Sequence, residues 1–113
     1  MKYVIAVIQP DKLEDVLEQL EGEQVHLVTA SDVMGRGRQK GVAEIYRSHV
    51  EPGNLLRKVK IEIAVNDDFV EKTVSAIIKG ARTGNIGDGK IFVLDLDECM
   101  RIRTGEHGDV AIG

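Results

Sequence analysis

The residues of this chain most able to do chemistry lie between Thr83 and Val93, in the run TGNIGDGKIFV. Gly84, Gly87 and Gly89 fall within six residues and lead into Lys90. Glycines at this density allow positive φ and close backbone approach to a ligand. Successive N–H groups curled into a nest bind anions, and Lys90 adds a full positive charge. The run reads as a phosphate cradle. Gly84-x4-Gly89-Lys90 matches the first half of a P-loop, but Ile91 stands where the Mg²⁺-binding Ser/Thr belongs, and a strand-like run follows where a P-loop needs a helix. The site is therefore not of the Walker A type, and an ordinary Gly-rich turn between helix and strand is the competing reading.

A second cationic signal lies downstream. Arg101 and Arg103 are two apart in RIR, so an extended backbone would point both guanidiniums the same way. Arginine suits forked contacts with phosphate oxygens, and Lys90 lies only eleven residues upstream. Upstream, residues 35–60 hold seven Lys/Arg against Glu44 and Glu51, a local +5 that leaves −9 for the remainder of a chain whose formal total is −4. An acidic protein with one basic region repels nucleic-acid backbones overall and suits a small anionic ligand better. A solvated loop is the plainer alternative.

These groups need elements to hold them. Tyr3 to Ile8 reads as a buried strand. Pro10 and Asp11 open a helix, Leu13, Val16, Leu17 and Leu20 form its apolar stripe, and Gly22 ends it. Val25 to Met34 reads as a second strand. Val59, Ile61, Ile63 and Val65 then alternate with Lys60, Glu62 and Ala64, giving a strand with one apolar face. Asp68 and Glu71 have capping-box spacing, and Val70, Val74, Ile77, Ile78 and Ala81 make the next helical stripe. Sliding the chain by 57 positions pairs Val7 with Ala64, Ile8 with Val65, Leu13 with Val70, Leu17 with Val74 and Leu20 with Ile77. This weak internal repeat gives a βαββαβ order, an α+β ferredoxin-like sandwich.

Between the two halves, Gly35 to Arg57 separates strands that should pair as a hairpin. Connections there usually run about two to five residues, and a much longer one tends to be functional or disordered. The segment opens with GRGRQKG, and Pro52-Gly53-Asn54 marks its far flank. Mobility without ligand is expected of it.

At 113 residues the chain reads as one domain, residues 1–113, able to bury roughly 65% of its unfolded surface. Two Tyr, two Phe and no Trp leave a core of Val, Ile and Leu. A single Cys99 excludes an internal disulfide and is compatible with a reducing, cytosolic setting. No apolar run nears the ~20 residues of a membrane span, and the N-terminus lacks a signal-peptide layout. The reading is a cytoplasmic protein with no membrane insertion of its own and no nucleic-acid partner.

Four segments together, GRQKG (Gly37 to Gly41), KVKIEI (Lys58 to Ile63), ARTGNIGDGKIFV (Ala81 to Val93) and RIRTGE (Arg101 to Glu106), resemble the PII signal-transduction family. The likeness spans essentially the whole chain. It implies a ferredoxin-like homotrimer binding ATP or ADP in the clefts between neighbours, with a long regulatory loop at 35–57, a phosphate-binding loop at 82–90 and a C-terminal segment at 98–113. Carried over by position, the nucleotide-binding residues are Thr29, Gly35, Gly37, Arg38, Glu62, Ala64, Gly87, Asp88, Gly89, Lys90, Arg101 and Arg103. Thr29, Glu62 and Ala64 would meet base and ribose, and Gly87 to Lys90 would wrap the phosphates. The resemblance also implies 2-oxoglutarate bound with Mg-ATP through Gln39, Lys40, Gly41, Lys58 and Gly87. In that arrangement Gln39 ligates Mg²⁺ and Lys58 pairs with the distal carboxylate. No catalytic residue is implied. ATP with the acid, or ADP alone, would favour different loop shapes. The loop would regulate a client, either a membrane transporter of the ammonium-channel type or an enzyme of nitrogen metabolism.

The chain departs from the family pattern in places. Where well-known members carry Tyr-Arg-Gly-Ala-Glu-Tyr, with the last tyrosine uridylylated, this chain has Tyr46-Arg47-Ser48-His49-Val50-Glu51. Uridylylation at Glu51 is chemically impossible, Tyr46 is not the usual acceptor, and Ser48 is an ordinary polar residue with a possible second role as a phosphate acceptor. His49 and Glu51 are too few for a metal site. Gln9 stands where a basic residue is common, removing one charge near the oxoacid site. The altered tip points to a paralogue with a different client.

Three other classes compete. RNA-binding βαββαβ modules stack bases on strand aromatics, and four Phe/Tyr leave little to stack with. A small phosphatase or kinase needs a placed base or nucleophile, and none stands out beyond Asp88 and three scattered histidines. A trimeric relative binding metals or another nucleotide such as cyclic AMP is the third.

Overall fold

The computed structural model describes residues 1–37 and 55–113. Strand β1 (Lys2–Ile8) leads through a 3-10 turn (Pro10–Lys12) into α1 (Leu13–Gly22). Strands β2 (Thr29–Gly35) and β3 (Leu56–Val65) follow. A 3-10 turn (Asp67–Phe69) feeds α2 (Val70–Ala81), then come β4 (Gly89–Asp95) and a short C-terminal helix α3 (Asp109–Ile112). The sheet order is β2-β3-β1-β4 with every neighbouring pair antiparallel. Each βαβ half thus has another strand inserted between its own two, which is the ferredoxin-like α+β fold.

Alternation along the strands decides the faces. Val4, Ala6 and Ile8 of β1 and Val59, Ile61, Ile63 and Val65 of β3 point into the core. There they meet Val16 and Leu20 of α1 and Ala76, Ile77 and Ala81 of α2. The helices pack closely at Gly80, where an added Cβ would lie 2.6 Å from the Val16 Cα. The other sheet face carries Tyr3, Ile5, Val7, Lys60, Glu62 and Ala64, with Phe92 and Leu94 about half exposed. No helix covers it.

Three local expectations are corrected. The second strand begins at Thr29, not Val25. The Val25 N–H closes the end of α1 on the Leu20 carbonyl at 2.9 Å, and Gln24 has φ 63°, so this stretch serves the helix end rather than the ladder. The Asp68/Glu71 capping box does not form. The chain enters α2 through the 3-10 turn, which holds Asp68, while Asp67 pairs with the N-terminal ammonium at 2.9 Å. The helical stripes are also shifted: Leu17 is exposed, and α2 buries Thr73, Ala76 and Gly80 rather than Val74 and Ile78.

The ends of the inter-half connection are in register, with Gly35 opposite Leu56 and Met34 opposite Arg57. Arg38, Gln39, Lys40, Gly41, Tyr46, Ser48, His49, Glu51 and Pro52-Gly53-Asn54 lie outside the described residues. No helix among the described residues is long and apolar enough to cross a membrane.

Candidate functional site: a phosphate cradle on the open edge of the sheet

The glycine loop after α2 is built from its own backbone and two outside fasteners. Gly84, Gly87 and Gly89 have φ of 91°, 108° and 106°, the left-handed region in which a side chain is strained. Gly89 also presses on β1: an added Cβ would lie 1.8 Å from the Val7 carbonyl oxygen. That approach lets β4 begin at Gly89 and delivers Lys90 to the outer sheet face, opposite Val7.

The first fastener is Asp88. Its carboxylate accepts the Thr83 hydroxyl at 2.5 Å and the N–H groups of Thr83 and Gly84 at 2.8 and 2.9 Å. The Thr83 hydroxyl bond, helped by those two N–H groups and nearby Arg82, holds Asp88 below the usual carboxylate range. The negative charge of Asp88 thereby faces the loop's own backbone. The second fastener is Gln9, whose Nε2 donates to the Gly87 carbonyl at 2.9 Å.

A cavity of about 710 Å³ opens between this loop and the end of the β2–β3 hairpin. Residues 85–90 form one wall, and Gly35, Arg36, Gly37 and Lys58 form the other, with Val7 and Phe92 beneath. Arg36, Lys58 and Lys90 bring positive charge, while the acid of the lining, Asp88, is already engaged. Lys58 is 7% exposed, its stem running past Gly35, where a Cβ would meet the Lys58 Cγ at 3.7 Å. A smaller cavity of about 330 Å³ lies on the helix side of the same loop, walled by Ile77, Ile78 and Ile91. Arg82, Asp88 and Lys90 also line it, so the two cavities share Asp88 and Lys90.

The structure thus brings together Gly35, Gly37, Lys58, Gly87, Asp88, Gly89 and Lys90. Thr29, Glu62 and Ala64 lie elsewhere, farther along the same open face. Thr29 is directly opposite Glu62, and Ala64 opposite Tyr3. The Glu62 carboxylate accepts a short hydrogen bond from the Tyr3 hydroxyl and lies 3.5 Å from the Lys60 ammonium. The Tyr3 bond, ahead of Lys60, lowers the Glu62 pKa.

Arg101 and Arg103 do not line the cavity, and RIR is not extended. The chain folds back there, with Met100 bridged to His107 and the Gly105 N–H bonded to the Arg101 carbonyl at 2.8 Å. The Arg101 guanidinium bonds Glu106 at 2.7 Å and the Val110 carbonyl at 3.1 Å. Arg103 forms no ion pair among the described residues, and Ile102 between them is fully exposed. Among the described residues, no group of three or more His, Cys, Asp or Glu is placed to hold a metal.

Sequence reasoning missed Arg36 as a lining residue, although it belongs to the basic run. It also missed Gln9 as a contact of the loop, because a pairing 78 residues apart leaves no local pattern.

Comparison with known proteins agrees with the fold. The family model described as "Nitrogen regulatory protein P-II" matches residues 1–106. Nitrogen regulatory protein GlnK1 of Methanosarcina mazei is 53% identical over 114 residues, covering 99% of this chain and 97% of its own. Nitrogen regulatory protein P-II 1 of Escherichia coli is 51% identical over 112 residues, covering 99% of this chain and 100% of its own. Among solved structures, the crystal structure of Arabidopsis thaliana PII bound to citrate aligns with a TM-score of 0.79 and 39% identity, covering 98% of this chain and 88% of that one. These relatives are regulatory proteins and not enzymes. The chain belongs to the P-II family of nitrogen regulatory, signal-transducing proteins.

Proposed function

We propose that this P-II protein works as a homotrimer that binds ATP or ADP between neighbouring copies and passes the bound state to a client through residues 35–57. The observation that carries the reading is the cradle itself. Gly87 and Gly89, both with positive φ, line a cavity of about 710 Å³ together with Lys90, Lys58 and Arg36, and the acid of that lining is bound by Thr83 and Gly84.

The sheet geometry supports a nucleotide lying along β3. Lys58, Lys60, Glu62 and Ala64 alternate onto one face, so Glu62 is roughly 13 Å from Lys58 at about 3.3 Å per residue. That span suits phosphates at the cradle with the base and ribose toward Thr29, Glu62 and Ala64. The uncovered face with Tyr3, Ile5, Phe92 and Leu94 supports burial against further copies. Arg103, absent from its own chain's cavity and without an ion pair among the described residues, is then available to a neighbour's phosphates together with Arg38, and Arg101 would join them on leaving Glu106.

The same reading gives 2-oxoglutarate and Mg²⁺ a place beside ATP. Lys58 suits a carboxylate, and the citrate held by the Arabidopsis relative is likewise a small polycarboxylate. Gln39 would offer Mg²⁺ a neutral oxygen, the ligand type that this hard cation takes, with Lys40, Gly41 and Gly87 completing the acid site. The proposed output is binding, in the cytoplasm, to a transporter of the ammonium-channel type or an enzyme of nitrogen metabolism.

A pull-down from native lysate tests the switch. With ATP, Mg²⁺ and 2-oxoglutarate the captured client should differ from that captured with ADP. An identical set under both conditions would contradict a ligand-controlled loop.

A further inference from the structure

We propose that Gln9 is a positioning residue that locks the orientation of the Gly87–Asp88 peptide, and so aims the Asp88 N–H of the cradle. The inference rests on the reading of this loop as a phosphate site and adds the residue that sets its donor geometry.

A trans peptide is planar, so its carbonyl and N–H point in opposite directions. The Gly87 carbonyl can only accept, so the Gln9 amide must present its NH₂ to it, as the 2.9 Å contact has it. With that carbonyl held toward Gln9, the Asp88 N–H points the other way. The lock matters because this peptide turns about the Gly87 ψ and the Asp88 φ, and the first of those torsions belongs to a glycine, already at φ 108°, which has no Cβ to restrict it.

The neighbouring parts of the loop are fixed separately. The Asp88 carboxylate ties down Thr83 and Gly84. Gly89 is pressed against the Val7 carbonyl, too close for any Cβ. Between these two points lies the Gly87–Asp88 peptide, and if turned it would offer an anion a carbonyl oxygen in place of a donor. Gln9, on the end of β1, reaches it from outside the loop.

The test uses the full-length protein and three forms: wild type, Gln9→Met and Gln9→Lys. Methionine keeps length and neutrality but has no donor, whereas lysine restores one. In ligand-free protein, ¹⁵N relaxation dispersion should show microsecond-to-millisecond exchange at the Asp88 and Gly89 amides of Q9M. Wild type and Q9K should show none. By calorimetry, Q9M should bind ADP about fivefold more weakly than wild type, the scale of one net hydrogen bond. No exchange in Q9M would overturn the proposal, even if its ADP affinity falls, because the loss would then come through another contact of Gln9. Exchange in Q9M that persists in Q9K would also overturn it. If wild type fails to bind ADP, the nucleotide reading fails, while the dispersion data still decide whether Gln9 holds the peptide.

Discussion

Thr83 and Asp88 close on each other across the glycine loop: the threonine hydroxyl donates to one carboxylate oxygen at 2.5 Å and its N–H to the other at 2.8 Å. The loop is thus shaped by bonds among its own residues, with its negative charge facing its own backbone. The bond from Thr83 depresses the Asp88 pKa. A group with a folded-state value below its unfolded value contributes stability that is complete above the unfolded carboxylate value of about 3.9, and that stability is lost as pH falls through the lower folded value. Carboxyl NMR titration should therefore find Asp88 titrating below an ordinary aspartate. In Thr83→Val its value should move up. A normal Asp88 value in wild type would show the clasp to be loose in solution.

Gly80 gives a prediction of opposite sign to the usual one. An exposed helical glycine replaced by alanine normally gains about 1 kcal/mol from propensity. Here the new methyl would meet Val16 backbone atoms at 2.6–2.7 Å, and backbone cannot swing aside as a side-chain tip can. Gly80→Ala should destabilise by about 2 kcal/mol, within the range for overpacking, as read by urea denaturation. Lys79→Ala, on the exposed side of the same helix, should stay within about 0.5 kcal/mol of wild type. A stabilised Gly80→Ala would mean that α1 and α2 pack less tightly than described.

On the open sheet face, Tyr3 and Glu62 should report on each other. The hydrogen bond to Glu62 pushes the Tyr3 phenol pKa up, and the same bond pulls Glu62 down. Tyr3→Phe should raise the Glu62 pKa, measured by carboxyl NMR. The Tyr3 phenol should titrate above its usual value of about 10 in wild type. An unmoved Glu62 in the variant would leave Lys60 as its main partner.

Much of this could be read from the chain, for identifiable reasons. The period-2 pattern from Val59 to Val65 and the repeat at 57 residues are local or self-consistent signals, and they gave the strand faces and the βαββαβ order. The glycines at 84, 87 and 89 signal a loop that needs positive φ, and all three have it. What escaped was set at long range or by competition. Val25 gave its N–H to the end of α1, Asp67 turned to the chain's own N-terminus, and RIR was bent by a turn that ends at Gly105. Nothing local sets Gly80 apart from another helical glycine; the Val16 backbone beside it does. Gln9 showed only as a missing charge, whereas its amide reaches Gly87.

Lys90 and Arg103 are predicted to act on the same phosphates from two different copies. Lys90→Ala and Arg103→Ala should each weaken ATP binding by roughly 1.5–3 kcal/mol, the scale for hydrogen bonds to charged groups. Calorimetry reads this directly, and wild-type affinity in both would remove these residues from the site.

Copies of this chain are proposed to hold an adenylate at their shared clefts, and native mass spectrometry with and without ATP reads that out. The account predicts a trimer that takes up one nucleotide per chain, with occupancy falling in the Lys90→Ala variant. A monomer, or a trimer that stays free of nucleotide at saturating ATP, would contradict it.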